Sequence, residues 1–314
     1  MSNNAVVIAL PLNQTGHTHE STKPIATSVT MSVESTNKNA SLATPELPKQ
    51  PNWLASNWQA YTAAIVLPLI TFSIVIGLWF IVQKHFATDL PTPIDVWNRA
   101  IEVFANPFYD AGPNDKGIGW QVLYSLGRVM AGFSLAVLIG IPVGFLMGMS
   151  ANFSRACTPL IQILRPVSPL AWLPIGLLMF KAVDPSAIFV IFITSIWPII
   201  INTSAGVRAI PKDYMNVAAV LQLNTFEITH KILLPSTLPH ILTGMRLSLN
   251  IAWMVIVAAE MLTGGIGIGF YVWDEWNNLN VSSIVVAILL IGFVGILLET
   301  IMNFIQSRFD YNAR

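Results

Sequence analysis

Six apolar runs, each long enough to cross a bilayer, alternate with polar segments along the chain: residues 61–82, 122–149, 159–180, 186–206, 238–262 and 281–305. A helix of about 20 apolar residues covers the ~30 Å hydrocarbon layer. Inside that layer only helices and closed barrels satisfy every backbone N–H and C=O. Runs of this length and continuity predict an all-α membrane protein with about six transmembrane helices. The third run is interrupted by Pro166, Pro169 and Pro174, each of which removes a helical N–H donor, so it is expected to be broken. Composition points the same way. The chain is 54% hydrophobic and 10% charged, where a soluble domain carries roughly a quarter charged residues. A formal net charge of zero gives no footprint for nucleic acid. The single cysteine, Cys157, excludes an intrachain disulfide framework and a multi-cysteine metal cluster, and no metal site is expected. His17 and His19 stand in a polar stretch that reads as a solvated tail.

Residues 1–58 are rich in Ser, Thr, Asn and Pro and are expected to form a disordered tail, with Trp53 and Trp58 approaching the membrane surface. The apolar patch 5–12 is too short to span and lacks a basic leader. A membrane-spanning body is expected over 59–310, with a short tail at 311–314. Six spans put both ends of the chain on one side. Lys23, Lys38, Lys49, Arg155, Arg208, Lys212, Lys231, Arg308 and Arg314 fall in one set of connecting segments, and Lys84, Arg99, Lys116 and Lys181 in the other. The positive-inside bias therefore predicts that both termini and the loop 207–235 are cytoplasmic.

That loop is the most distinctive polar segment. Pro211 suits a first helical turn. Tyr214, Val217, Ala218 and Leu221 then recur at i, i+3, i+4 and i+7, an apolar stripe on a short helix. Asn224 and Glu227 have the spacing of a capping box for a second short helix, and Pro235 is expected to end it. Two short helices and a turn make a knob that can insert into a partner's groove. The same stripe could instead pack on the chain's own bundle.

The segment 216–235, NVAAVLQLNTFEITHKILLP, resembles the EAA loop of ATP-binding-cassette (ABC) importer permeases. In that family Glu-Ala-Ala is followed by three residues, Gly, nine residues, Ile, one residue and Leu-Pro. Ile232, Leu234 and Pro235 match the end of the pattern, Asn216-Val217-Ala218 stand at the triplet, and Gln222 stands at the glycine. The segments SLGRVMAGFSLAVLIGIPVGFLMG and ILRPVSPLAWLPIGLLMF are similar to the subgroup importing nitrate, bicarbonate, taurine and sulfonates, and GIGIGFYVWDEWNNLN to the nitrate and bicarbonate permeases of cyanobacteria. The resemblance spans about residues 60–310. It implies a type I importer permease in a bacterial inner membrane, probed by a periplasmic substrate-binding protein and seated on ABC ATPase subunits. A second permease copy would complete a homodimer, and nitrate (with nitrite) would be the cargo. Coupling would run through Tyr214, Asn216, Val217, Ala218, Leu221, Gln222, Ile232, Leu234 and Pro235. ATP binding would draw two such loops together and turn the pathway outward. ATP and Mg would sit on the ATPases, with no cofactor on this chain. Consistent with that, no G-x-x-x-x-G-K-[ST] occurs, and GGIGIG lacks the strand and helix of a dinucleotide fold.

Ionisable residues in spans are costly and commonly functional. Arg246, Asn250 and Trp253 share one face of the fifth span and could line an anion pathway, or Arg246 could pair with Glu299 or a headgroup. Arg128 could attract an anion or pair with Glu260. Arg165, at the broken run, could face a cavity or the interface. Trp273 and Trp276 of the outer loop fit an interfacial anchor or a docking surface. Bicarbonate or a sulfonate is the same-class alternative cargo. An autonomous channel or secondary transporter, or a membrane enzyme, is the different-class alternative; HExxH and GxSxG are both absent from the sequence.

Overall fold

The computed structural model describes residues 53–85, 89–113 and 115–309. The tail expected over 1–58 therefore lies outside the described residues up to 52, as does the tail 311–314. The chain divides into two units after Thr62. Of the first unit, residues 53–62 are described and are helical.

The helix α1 (Trp53–His85) starts eight residues before the apolar run expected at 61. Within the second unit its apolar stretch Ala64–His85 has no buried residue, as a helix facing lipid does. The polar stretch after it contains a helix not anticipated from the sequence, α2 (Pro93–Ala105). Its start is nonetheless written there. Thr92 accepts from the Asp95 N–H, the Asp95 carboxylate accepts from the Thr92 N–H at 3.0 Å, and Pro93 occupies the first turn. The Asp95 carboxyl is held below its ordinary pKa by its bonds to the Thr92 hydroxyl and backbone. Arg99 joins α2 to the last helix, its Nε donating to Ser283 Oγ at 2.8 Å.

The core is three long helices: α3 (Ile118–Met149), α6 (Val183–Arg208) and α9 (Leu234–Thr263). Between α3 and α6 lie α4 (Ala151–Leu164), a 3-10 turn Pro169–Trp172 and α5 (Leu173–Phe180). The third apolar run is thus a bent pair, with 96° between its arms. The prolines at 166, 169 and 174 break the hydrogen-bond ladder there, and the first arm starts at Ala151, ahead of the residue 159 expected. Among the described residues, five helices are long and apolar enough to cross a membrane, or six when the bent pair counts as one span. After α6 come α7 (Lys212–Val220), α8 (Thr225–Ile228) and a π-helical turn Thr229–Leu233 leading into α9. The outer segment read as a loop contains α10 (Ile268–Asn277), and α11 (Val281–Phe309) is the last span.

Helices in lipid gain little from hydrophobic exclusion, so close backbone approach by small residues drives their packing. Gly132, Ala136, Gly140, Gly144 and Gly148 of α3 recur every fourth residue and form the face that meets α6. A Cβ on Gly144 would lie 2.6 Å from Thr203 Cβ and 2.9 Å from the Ile200 carbonyl. The α6–α9 crossing is equally close: a Cβ on Gly244 would sit 2.9 Å from the Pro198 carbonyl, and Ser248 Oγ donates to the Ser195 carbonyl. Ile191, Ile199, Trp253 and Ile256 fill the space between these seams.

Gly144→Ala is expected to lower stability by about 1–3 kcal/mol through overpacking. Gly127→Ala, on the same helix with open space around it, is expected to raise stability by up to about 1 kcal/mol from helix propensity. Thermal unfolding of the two detergent-purified variants checks the contrast.

Candidate functional site

Two polar constructions stand at opposite ends of the bundle. At the end where α3 and α6 begin and α9 finishes, Glu260 is 1% exposed. Its carboxylate accepts from Arg128 Nη1 at 2.6 Å, Ser125 Oγ at 2.7 Å and the Gly269 N–H at 3.0 Å. Arg128 spends its other donors on Asp184 Oδ1, at 2.8 Å from Nε and 2.7 Å from Nη2, and on the Ile266 carbonyl at 2.6 Å. One guanidinium therefore ties α3, α6 and α9 together. Arg128 was expected either to attract an anion or to pair with Glu260, and it is paired.

The glycine-rich segment closes over this pair. Gly267 N–H donates to Gln121 Oε1 at 2.6 Å, and Ile268 N–H to Ser125 Oγ at 2.9 Å. These N–H groups open α10, where helical donors have no partner of their own. Side chains of α3 and α9 cap them, so the donors of GGIGIG face an internal carboxylate. A Cβ on Gly267 would collide with the Glu260 carboxylate, and one on Gly269 with the Val257 carbonyl. The preceding turn uses positive φ at Gly264 (76°) and Gly265 (93°). This clasp is why the segment expected as a loop becomes helical. α10 packs its Tyr271 and Val272 against the core while Trp273 and Trp276 stay exposed. Burial pushes the Tyr271 phenol up to about 12.

At the other end is the loop 207–235. Its first helix, α7, ends in a Schellman motif: Leu223 N–H donates to the Ala218 carbonyl and Gln222 N–H to the Ala219 carbonyl, both at 3.1 Å. That motif needs a left-handed residue, and Gln222 supplies it at φ 51°. Gln222, standing where the resembling family has glycine, thus adopts the conformation glycine favours. Asn224 N–H donates to Glu227 Oε2 at 3.0 Å, and Glu227 pairs with Lys231 at 2.9 Å. Pro235 was expected to end this second helix, and it does not. The chain passes through the π-helical turn, where the Leu234 N–H reaches the Thr229 carbonyl, and Pro235 falls in the first turn of α9, where a missing N–H costs little. The second short helix is thus continuous with a membrane span.

The apolar stripe divides between two directions. Ala218 is buried, while Tyr214, Val217 and Leu221 are exposed, joined by Val220 (82%) and Phe226 (76%). Asn216 and Gln222 are also exposed, Ile232 is half-buried, and Leu234 and Pro235 are exposed. Ile228 and Leu233 pack on Phe145, Val207 and Ile241, anchoring the knob to the bundle.

The remaining candidates lie apart. Arg246 is half-buried and its Nη1 donates to Asn303 Oδ1 of α11 at 2.7 Å, in place of the Glu299 partner considered from sequence. Trp253 is buried, its Nε1 donating to the Ile291 carbonyl at 3.0 Å. Asn250 is half-buried between them in sequence. The face carrying Arg246 and Trp253 is therefore bonded to α11. Arg165 caps the end of α4, is exposed, and lines a cavity of about 590 Å³ together with Arg208. Arg208 was not singled out from sequence as a candidate; its place as the last residue of α6, beside the break at Pro166, was the available signal.

The fold and these two polar ends define a multi-pass α-helical membrane protein with an exposed apolar knob. Residues 136–314 match the family described as binding-protein-dependent transport system inner membrane component, and the chain belongs to it. It is 43% identical to the nitrate import permease protein NrtB of Synechocystis, over 79% of this chain and 90% of that protein. It is 46% identical to NrtB of Leptolyngbya laminosa, over 76% and 85%, and 44% identical to the bicarbonate transport system permease protein CmpB of Synechococcus elongatus, over 79% and 91%. Among solved structures it resembles a chain of the inward-facing MetNI methionine ABC transporter, with TM-score 0.55 and 16% identity over 60% of this chain and 94% of that chain. At that identity the likeness concerns the fold.

Two outcomes follow for these ends. Glu260→Ala takes the acceptor away from Ser125 and the Gly269 N–H and leaves Asp184 as the one carboxylate on the buried Arg128, and is expected to cost about 1.5–3 kcal/mol; Asp184→Asn, whose side chain is 65% exposed, is expected to cost far less. Thermal unfolding separates them. Gln222→Gly relieves a left-handed residue worth roughly 1–2 kcal/mol, so amide exchange over 212–233 is expected to slow by about tenfold.

Proposed function

We propose that this chain is the transmembrane subunit of an ATP-driven importer for nitrate, and for nitrite with it. The observation that carries the reading is the knob at 212–233. Large apolar side chains stand exposed on a segment that also carries Lys212, Asp213, Glu227 and Lys231. Charge at this density keeps the segment in water, and an apolar patch held in water marks a protein interface. The partner is an ABC ATPase subunit, with ATP and Mg bound there and no cofactor on this chain. Because the second half of the knob runs into α9 without a break, a push on Val217, Leu221 or Phe226 is delivered to a core helix. A second copy of the chain completes the pathway, a periplasmic binding protein delivers the anion, and both termini and the knob are cytoplasmic.

Nitrate rests on the relatives named nitrate permeases, with 43% and 46% identity. A second reading, bicarbonate, has its own support in a bicarbonate permease at 44%. Val217→Asp combined with Leu221→Asp places charge on the exposed face alone. It is expected to leave the amount of folded chain unchanged and to cut ATP-dependent nitrate uptake in cells by more than tenfold. Uptake at the unsubstituted rate would remove the coupling assignment.

A further inference from the structure

The cavity between α4 and α6 carries positive charge that no acidic residue among the described ones balances. Its walls are Met147 of α3, Thr158 and Gln162 of α4 with Arg165 just past its end, and Ser204 and Arg208 of α6, with apolar neighbours. Among the described residues no Asp or Glu lines it. None of the ion pairs among the described residues involves Arg165 or Arg208. Arg208 Nη2 donates only to neutral oxygens, the Met147 carbonyl at 3.0 Å and Ser154 Oγ at 2.5 Å. That pair of bonds holds the guanidinium at the cavity wall and leaves its charge uncancelled. The contrast with Arg128, which two carboxylates neutralise at the other end, is sharp. Two guanidinium groups around one concavity, with hydroxyls and an amide beside them and low-dielectric walls behind, focus a positive potential there. Planar guanidinium forks match the oxygen geometry of an oxyanion.

We propose that this cavity binds one oxyanion group, engaged by Arg165 and Arg208 and oriented by Thr158 and Ser204. The group is either a free inorganic oxyanion or the phosphate of an anionic lipid, since the cavity opens at the end of the bundle that leads into the loop 207–235. The assignment rests on charge and cavity chemistry, and it is read by a measurement that involves no transport, so it stands or falls separately from the importer reading.

The test uses the full chain in phosphatidylcholine nanodiscs, with Cys157→Ser to remove the native thiol and Gln162→Cys as reporter. Gln162 is exposed, so the reporter is reachable. Labelling rates are compared for a sulfonate-bearing and a trimethylammonium-bearing methanethiosulfonate reagent, each normalised to a free thiol. The anionic reagent is expected to be favoured by about tenfold, and the preference to shrink several-fold with Arg165→Gln and with Arg208→Gln. Protection by millimolar nitrate or bicarbonate assigns the site to a free oxyanion. Protection only when phosphatidylglycerol is added to the discs assigns it to a lipid phosphate. A preference that survives both arginine substitutions, or labelling that neither the free anions nor the anionic lipid slows, overturns the proposal.

Discussion

The buried contact between Arg128 and Glu260 organises one whole end of the molecule. A carboxylate this far from water is tolerable only when it is paired and hydrogen-bonded. Glu260 recruits a guanidinium from α3, a hydroxyl from α3 and a backbone N–H from the start of α10. Arg128 in turn reaches Asp184 at the start of α6. Three core helices therefore share one electrostatic knot, and the glycine-rich turn can fold over it only because no side chain stands at Gly267 or Gly269. With that end tied, α6 and α9 pack together and α6 sits against the small-residue face of α3, so the three helices form one continuous core.

The far end is built on the opposite principle. The knob of α7, α8 and the π-helical turn buries one set of apolar residues, Ala218, Ile228 and Leu233, and leaves another exposed. Burying the exposed set offers roughly 1.5–3 kcal/mol for each large side chain covered, which suits a partner that docks on the chain. Gln222 holds the turn in a left-handed conformation that glycine would accept without cost. The Schellman bonds around it keep the turn sharp, so the departure from glycine changes the energy of the turn and leaves its geometry intact.

Much of this was legible in the sequence. Long apolar runs give the spans because their signal is length, which packing does not alter. The pairing of Arg128 with Glu260 followed from the cost of an unpaired carboxylate in a span. Other features were hidden for identifiable reasons. α2 carries one broad apolar face opposite Asp95, Asn98, Arg99 and Glu102, part of it packed on α11 and part exposed at Ile94, Trp97 and Ile101; its period was visible, but it is short and lies between Pro91 and the glycine- and proline-rich turn that follows, so the whole stretch reads as a polar connection. α10 follows three glycines, holds a fourth at its second position and carries Asp274, Glu275 and Asn277 in its last turn, so its composition reads as loop; its cap comes from Glu260, Ser125 and Gln121, distant in sequence. Pro235 reads as a helix stop, whereas the π-helical turn before it supplies a fresh start. The face of Arg246 and Trp253 was correctly placed on one side of a helix, yet periodicity alone does not say that α11 covers it. The spacing of Gly132, Ala136, Gly140, Gly144 and Gly148 was visible and marks the α3–α6 seam.

In the proposed function this chain turns ATP hydrolysis by partner subunits into anion import. The most direct test reconstitutes the chain with its ATPases in proteoliposomes, supplies a nitrate-binding periplasmic protein, and follows nitrate accumulation with bicarbonate and taurine as competitors. ATP-dependent accumulation against a gradient, blocked by none of the competitors at equal concentration, is the predicted result. Nitrate flux through the chain alone, without ATPases or ATP, would contradict it.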